Sequence, residues 1–360
     1  MKSYKFILPI LALAAMATAC DGDIETVQEM GQNVVQPFHA SELYYQNLRD
    51  YKASEHPISF CWFSKYGGAS SMALRFAGLP DSIDIVSLWG GIPNNPIDIA
   101  EMREHQQKKG TRFVIVDICR INKSENTLPY KAHWLDLEER YAAGEVTADE
   151  RNAERHVIMQ EMGLHYVDQI FENDIDGMDI DFEPEGDPVQ GELFYTMIDE
   201  IAKYMGPNPN ITREERYELI KERFGQAKAD QPGSCDKLLC VDAYGQDPGA
   251  SHVNPLINYF FSQDYHNAIG RSGYPASKIV RCVSVGEGWN VDPATGSTPQ
   301  VGNYFTKQGL MYNYARMAAA GQCGGFGGFI LSDDYTVCSL NPFPYARFRD
   351  CIQIMNPAIY

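Results

Sequence analysis

The sequence predicts one α/β domain, a single (β/α)8 (TIM) barrel. Two observations carry this reading. Eight short β-rich runs alternate with helical stretches over about 300 residues, from residue 58 to the C-terminus. Polar residues collect immediately after those runs, where a barrel of this kind places the loops that build its active site. A doubly wound open sheet is the competing arrangement, but eight strands in unbroken β/α order favour closure.

The chain begins with a processing segment. Lys2 and Lys5 give a basic start, and residues 6–17 form an apolar run too short to anchor across a bilayer. Ala17, Thr18 and Ala19 are small residues ahead of Cys20. This stretch resembles a bacterial lipoprotein signal, with Ala17 where that pattern prefers Leu. The resemblance implies a signal peptide over 1–19, lipidation of Cys20 and residence in the cell envelope, at the outer membrane or cell surface. Plain signal cleavage would leave Cys20 a free thiol. Residues 20–56 read as a tether with a short helix over 40–51, and 57–360 as the barrel domain.

Strands are expected at 58–63, 83–89, 112–118, 177–182, 238–242, 259–263, 279–286 and 326–331. Helices are expected at 96–108, 135–143, 148–171, 192–204, 212–228 and 306–320, where apolar residues recur at three- and four-residue spacing. The strand ends are polar. The second strand runs into Trp89-Gly90-Gly91, the third carries Asp117 and the fourth ends in Glu183. The fifth leads to Asp242-Ala243-Tyr244, the sixth to Gln263-Asp264-Tyr265, and the seventh to Glu287-Gly288-Trp289. Gly324-Gly325-Phe326-Gly327-Gly328 precedes the last strand instead of leading a strand into a helix. It therefore reads as close barrel packing and not as a phosphate loop.

The bulk composition narrows function. A formal net charge of −18 argues against a nucleic-acid partner and fits action on neutral or cationic molecules. Cys61, Cys119, Cys240 and Cys282 sit in or beside apolar runs and read as small core residues. Neither the cysteines nor the eight histidines fall at metal-ligand spacing, so no metal and no other cofactor is expected. The expected state is a monomer.

The fourth strand is the most informative segment. In Asp176-Gly177-Met178-Asp179-Ile180-Asp181-Phe182-Glu183, alternation puts Asp179, Asp181 and Glu183 on one face and Met178, Ile180 and Phe182 on the other. The apolar face implies packing on that side. Three carboxylates on the opposite face repel one another and lose hydration, which disfavours ionising all three. A coupled site that holds one carboxyl protonated follows.

This segment resembles the DGxDxDxE motif of glycoside hydrolase family 18, on the strand where that family carries it. The resemblance implies a retaining, substrate-assisted hydrolase of β-1,4-linked N-acetylglucosamine (GlcNAc), in which the sugar's own 2-acetamido oxygen attacks the anomeric carbon. It implies Glu183 as general acid and then base, Asp181 as the group that holds the acetamido N–H, and Asp179 as its proton-sharing neighbour. Asp176 would fix local backbone. Tyr265 takes the place of a family Tyr that bonds the acetamido carbonyl, and Gln263 lies two residues earlier on the same face. Trp89, Trp289 and Tyr244 are candidates for stacking on sugar rings, and Asp117 for orienting the carboxylates.

Two departures separate the chain from the chitinases of that family. The third strand lacks their Ser-x-Gly-Gly segment, and the last strand reads Phe329-Ile330-Leu331-Ser332 where they usually carry Trp. The expectation is therefore an endo-β-N-acetylglucosaminidase that cleaves the chitobiose core of N-glycans. A chitinase or chitooligosaccharide hydrolase, and a non-catalytic surface glycan-binding protein, are the alternatives. The expected partners are GlcNAc-containing glycans, with the membrane reached only through the lipid anchor.

Overall fold

The computed structural model describes residues 40–68, 71–285, 309–337 and 341–357. The expected signal peptide, Cys20 and Trp289 lie outside these. Among the described residues no helix is long and apolar enough to cross a membrane. From Asn47 onward the chain forms one compact unit.

Eight parallel strands close on themselves in sequence order. They are β1 (Ile58–Phe63), β2 (Ile85–Leu88), β3 (Arg112–Ile118), β4 (Gly177–Asp181), β5 (Leu238–Ala243), β6 (Tyr259–Ser262), β7 (Ile279–Ser284) and β8 (Gly325–Phe329). The longer helices among the described residues are α1 (Glu42–Ala53), α2 (Pro96–Glu104), α3 (Pro129–Ala142), α4 (Ala148–Glu172), α5 (Glu192–Ala202), α6 (Arg213–Phe224), α7 (Leu310–Ala319) and α8 (Ala346–Met355). This is the barrel expected from the β/α rhythm.

Local chemistry explains the long helix that covers β4. Thr147 and Glu150 form a capping box at the start of α4, which satisfies N–H groups that have no intrahelical partner. Met162, Tyr166 and Ile170 recur every four residues and are buried. They belong to the same apolar cluster as Met178 and Ile180, the outward face of β4. The start of β4 is pinned as well. The Asp176 carboxylate accepts the Phe113 N–H at 2.9 Å and a Gln106 amide N–H at 2.7 Å. Gly177 is required there, because a Cβ would sit 2.1 Å from Leu238 O.

A second apolar cluster fills the lumen: Ile58, Phe60, Trp62, Ile85, Val114, Leu238, Cys240, Phe261, Val280 and Cys282. Phe60 stacks on Phe261 with centroids 3.6 Å apart. β8 makes room for them with glycine. A Cβ on Gly327 would lie 2.8 Å from Phe60 Cδ1 and 2.9 Å from Cys282 Sγ. The glycine-rich run thus serves packing.

Five strands, β2, β4, β6, β7 and β8, end one or two residues earlier than expected. β6 stops at Ser262, although Gln263 still donates its N–H to Ala243 O at 3.1 Å. β8 stops at Phe329, because Ile330 turns into the left-handed region at φ 54°. A β-branched residue rarely adopts that conformation, and strained backbone of this kind concentrates at functional sites.

Candidate active site

Register decides which side chains meet at the barrel mouth. Asp181 pairs with Ile118 on one side and Asp242 on the other, and Asp179 pairs with Val116 and Cys240. Asp179 and Asp181 point into the lumen, as the alternation requires, and Asp242 of β5 joins them there. All three are buried, with Asp181 only 3% exposed.

Few groups satisfy this cluster. Asp179 Oδ2 accepts the Trp62 indole N–H at 3.0 Å and the Ser87 hydroxyl at 2.9 Å. The Gln263 amide donates to Asp242 Oδ1 at 2.5 Å and to Asp181 Oδ1 at 3.3 Å. Among the described residues, Asp179 Oδ1 and Asp242 Oδ2 receive no donor. Burial pushes Asp179 up to about 7. Burial and then the neighbouring Glu183 and Asp179 push Asp181 up to about 8. Burial, reinforced by Asp179 and Asp181, raises Asp242 well above the carboxylate range. The three titrate as one coupled set.

Glu183 lies just beyond β4, with its side chain about a quarter exposed. Arg120, from the loop after β3, donates through Nε to Glu183 O and places Nη2 3.6 Å from Glu183 Oε2. Its other end pairs with Glu185 at 2.9 Å. Asp187 ties the same two loops together, accepting the N–H groups of Ile121 (3.1 Å), Asn122 (2.8 Å) and Val189 (3.0 Å).

Aromatic rings form the rim. Tyr265 stacks on Phe329 at 5.9 Å and lies 6.3 Å from Tyr244. Trp89 meets Phe329 edge-on at 5.4 Å. Trp89 is 37% exposed and Tyr244 45%, so both offer open faces. Burial, then Asp242, raises the Tyr265 hydroxyl far above the usual phenol value, which keeps it a neutral donor.

Of the residues singled out in the sequence, Asp179, Asp181, Glu183, Gln263 and Tyr265 come together at the mouth, with Tyr244 and Trp89 on its rim. Asp117 does not join them. It pairs with Ile180 on the outward face of β3 and accepts the Tyr166 hydroxyl at 2.5 Å. Sequence reasoning missed Asp242, Ser87, Arg120 and Phe329. Asp242 carried a signal, as a lone acid in an otherwise apolar strand, but its direction depends on register. Phe329 ends β8 and packs against both Trp89 and Tyr265.

The family model described as glycoside hydrolase family 18, BT1044-like, matches residues 22–298. The chain belongs to that family. The closed eight-stranded barrel is the fold expected from the family resemblance. No curated protein sequence matches the chain. Among solved structures, it is similar to a selenomethionine Glu-to-Gln variant of BT1044, at 19% identity over 88% of this chain and 93% of that one, TM-score 0.58. It is also similar to a double variant of an endo-β-N-acetylglucosaminidase from Cordyceps militaris in complex with fucosyl-N-acetylglucosamine-Asn. That match has 18% identity over 89% and 97% of the chains, TM-score 0.56. A third is YKL-39 in the presence of chitooligosaccharides, at 10% identity over 84% and 100%, TM-score 0.50. At these identities the likeness is one of fold.

Proposed function

We propose that this family 18 protein is an endo-β-N-acetylglucosaminidase that cuts between the two core GlcNAc units of N-linked glycans. The observation that carries the proposal is the Asp179–Asp181–Glu183 face at the barrel mouth, with Gln263 and Tyr265 beside it. The Cordyceps militaris enzyme complex is in keeping with it.

The chemistry follows from placement. Alternate residues on a strand lie roughly 6.5–7 Å apart, so Asp181 is poorly set to attack the sugar that Glu183 protonates. The 2-acetamido oxygen attacks instead and forms an oxazolinium ion. Glu183 protonates the leaving oxygen and afterwards takes a proton from water. Asp181 accepts the acetamido N–H and offsets the positive charge, while Asp179, held by Trp62 and Ser87, shares protons with it. Tyr265 donates to the acetamido oxygen. Trp89, Phe329 and Tyr244 stack on sugar faces, burying the apolar face of each sugar against a ring. A lipid on Cys20 would hold the enzyme at the cell envelope, where it meets extracellular glycans.

A non-catalytic glycan-binding protein is the second reading. The observation on its side is the contact between Arg120 and Glu183, which engages the acid's side chain with a cation. The test is digestion of a homogeneous N-glycopeptide and of chitohexaose by the full chain, followed by mass spectrometry. A peptide that retains a single GlcNAc is expected. Preferential cleavage of chitohexaose would overturn the proposal in favour of a chitinase, and binding without cleavage of either in favour of the second reading. GlcNAc-thiazoline, an oxazoline mimic, should inhibit cleavage competitively; an active enzyme indifferent to it would refute the acetamido mechanism.

A further inference from the structure

Four carboxyls converge at the mouth, and the reaction above uses three. Asp242 is left over. It is fully buried on β5, in register with Asp181, and its backbone carbonyl accepts the Phe182 N–H at 2.8 Å. Asp179 and Asp181 face it from β4, and Gln263 and Tyr265 from β6 and its end. Among the described residues, Cys240 on its own strand, Cys282 on β7 and Cys119 after β3 are its other titratable neighbours. None of these groups is a cation.

Counting donors locates a proton. Asp179 Oδ2 already holds two neutral donors, which suits an anion. Asp242 Oδ1 holds one, the Gln263 amide, which it shares with Asp181. Among the described residues, the atoms without a donor are Asp179 Oδ1 and Asp242 Oδ2. Three adjacent buried carboxyls, with no cation among the described residues bonded to them, do not all ionise. A proton on Asp242 Oδ2 removes one charge and supplies the missing donor to its neighbours. Both Asp179 and Asp181 lie within its hydrogen-bonding reach.

We propose that Asp242 is a positioning residue that stays protonated and, as hydrogen-bond donor to Asp181 and Asp179, sets Asp181 to receive the substrate's acetamido N–H. When Asp181 turns to the substrate, the Asp242 O–H bonds Asp179 Oδ1. The cluster's charge does not change, and no proton leaves it. The proposal rests on the hydrolase reading above.

The test compares wild type, Asp242→Asn and Asp242→Ala in two measurements. In infrared difference spectra at about pH 10, above the values of about 7 and about 8 for Asp179 and Asp181, wild type should show a protonated-carboxyl C=O band that Asp242→Asn lacks. In N-glycopeptide hydrolysis, Asp242→Ala should lose about 10- to 100-fold in kcat, the size of one hydrogen bond to a charged group, with KM little changed. Asp242→Asn keeps a donor at the same place and should recover most of that loss. A band that survives in Asp242→Asn overturns the proton assignment. Equal kcat and pH profiles for wild type and Asp242→Ala overturn the positioning role. Should wild type prove inactive, the hydrolase reading fails while the infrared band still decides where the proton sits. Should Asp242→Asn fail to fold, carboxyl-¹³C NMR of aspartate-labelled wild type decides. One buried Asp must then stay protonated through the pH range in which the other two titrate.

Discussion

Replacing Asp179 by Asn should make the protein more stable and less active. Burial raises the Asp179 carboxyl from 3.8 to about 7. Its folded-state value therefore exceeds its unfolded value, and between those limits the folded state binds more protons. The stability it provides is complete below about pH 4 and is lost as pH climbs through the window to about 7. At roughly 1.4 kcal/mol per pH unit, a window of about 3 units corresponds to about 4 kcal/mol. Asn escapes this loss and keeps the contacts. Its Oδ1 accepts from Trp62 and Ser87, as Asp179 Oδ2 does now, and its amide turns to Asp242. Urea unfolding of both proteins at pH 4.5, 6 and 8 measures the effect. The stability gain of the variant should be small at pH 4.5 and reach about 2–4 kcal/mol at pH 8. A variant less stable than wild type at pH 8, or a difference that does not change with pH, would refute the reasoning.

Two further outcomes follow from the same geometry. Tyr265→Phe removes the donor aimed at the acetamido oxygen and should lower kcat by about 10²-fold with a smaller change in KM; an unchanged kcat in steady-state kinetics would remove Tyr265 from the mechanism. Gly327→Ala forces a methyl against Phe60 and Cys282 in the lumen and should destabilise the barrel by about 1–3 kcal/mol in denaturant titration, whereas an unaltered midpoint would show that the lumen has slack.

The barrel and its acidic strand were legible because both rest on periodicities the chain displays directly. β/α alternation needs only segment order, and the Asp179–Asp181 face needs only the two-residue repeat of a single strand. What was misplaced or left unassigned depends on how strands align. Asp117 and Asp242 are each a lone acid in an apolar strand. Pairing of Val116 and Cys240 with Asp179 turns Asp117 outward and Asp242 inward, and neither strand carries that information alone. Trp62 and Ser87 read as ordinary strand residues until closure of the barrel brings them to Asp179. Arg120 is brought beside Glu183 by loop contacts, and loops have no repeat from which to predict them.

The most direct test of the central claim is a side-by-side assay of wild type and Glu183→Gln on one homogeneous N-glycopeptide, with binding measured by calorimetry and product by mass spectrometry. Both proteins should bind, wild type should release the glycan and leave one GlcNAc on the peptide, and Glu183→Gln should be slower by about 10³-fold or more. Cleavage by Glu183→Gln at a rate near wild type, or binding by wild type without cleavage, would contradict the claim.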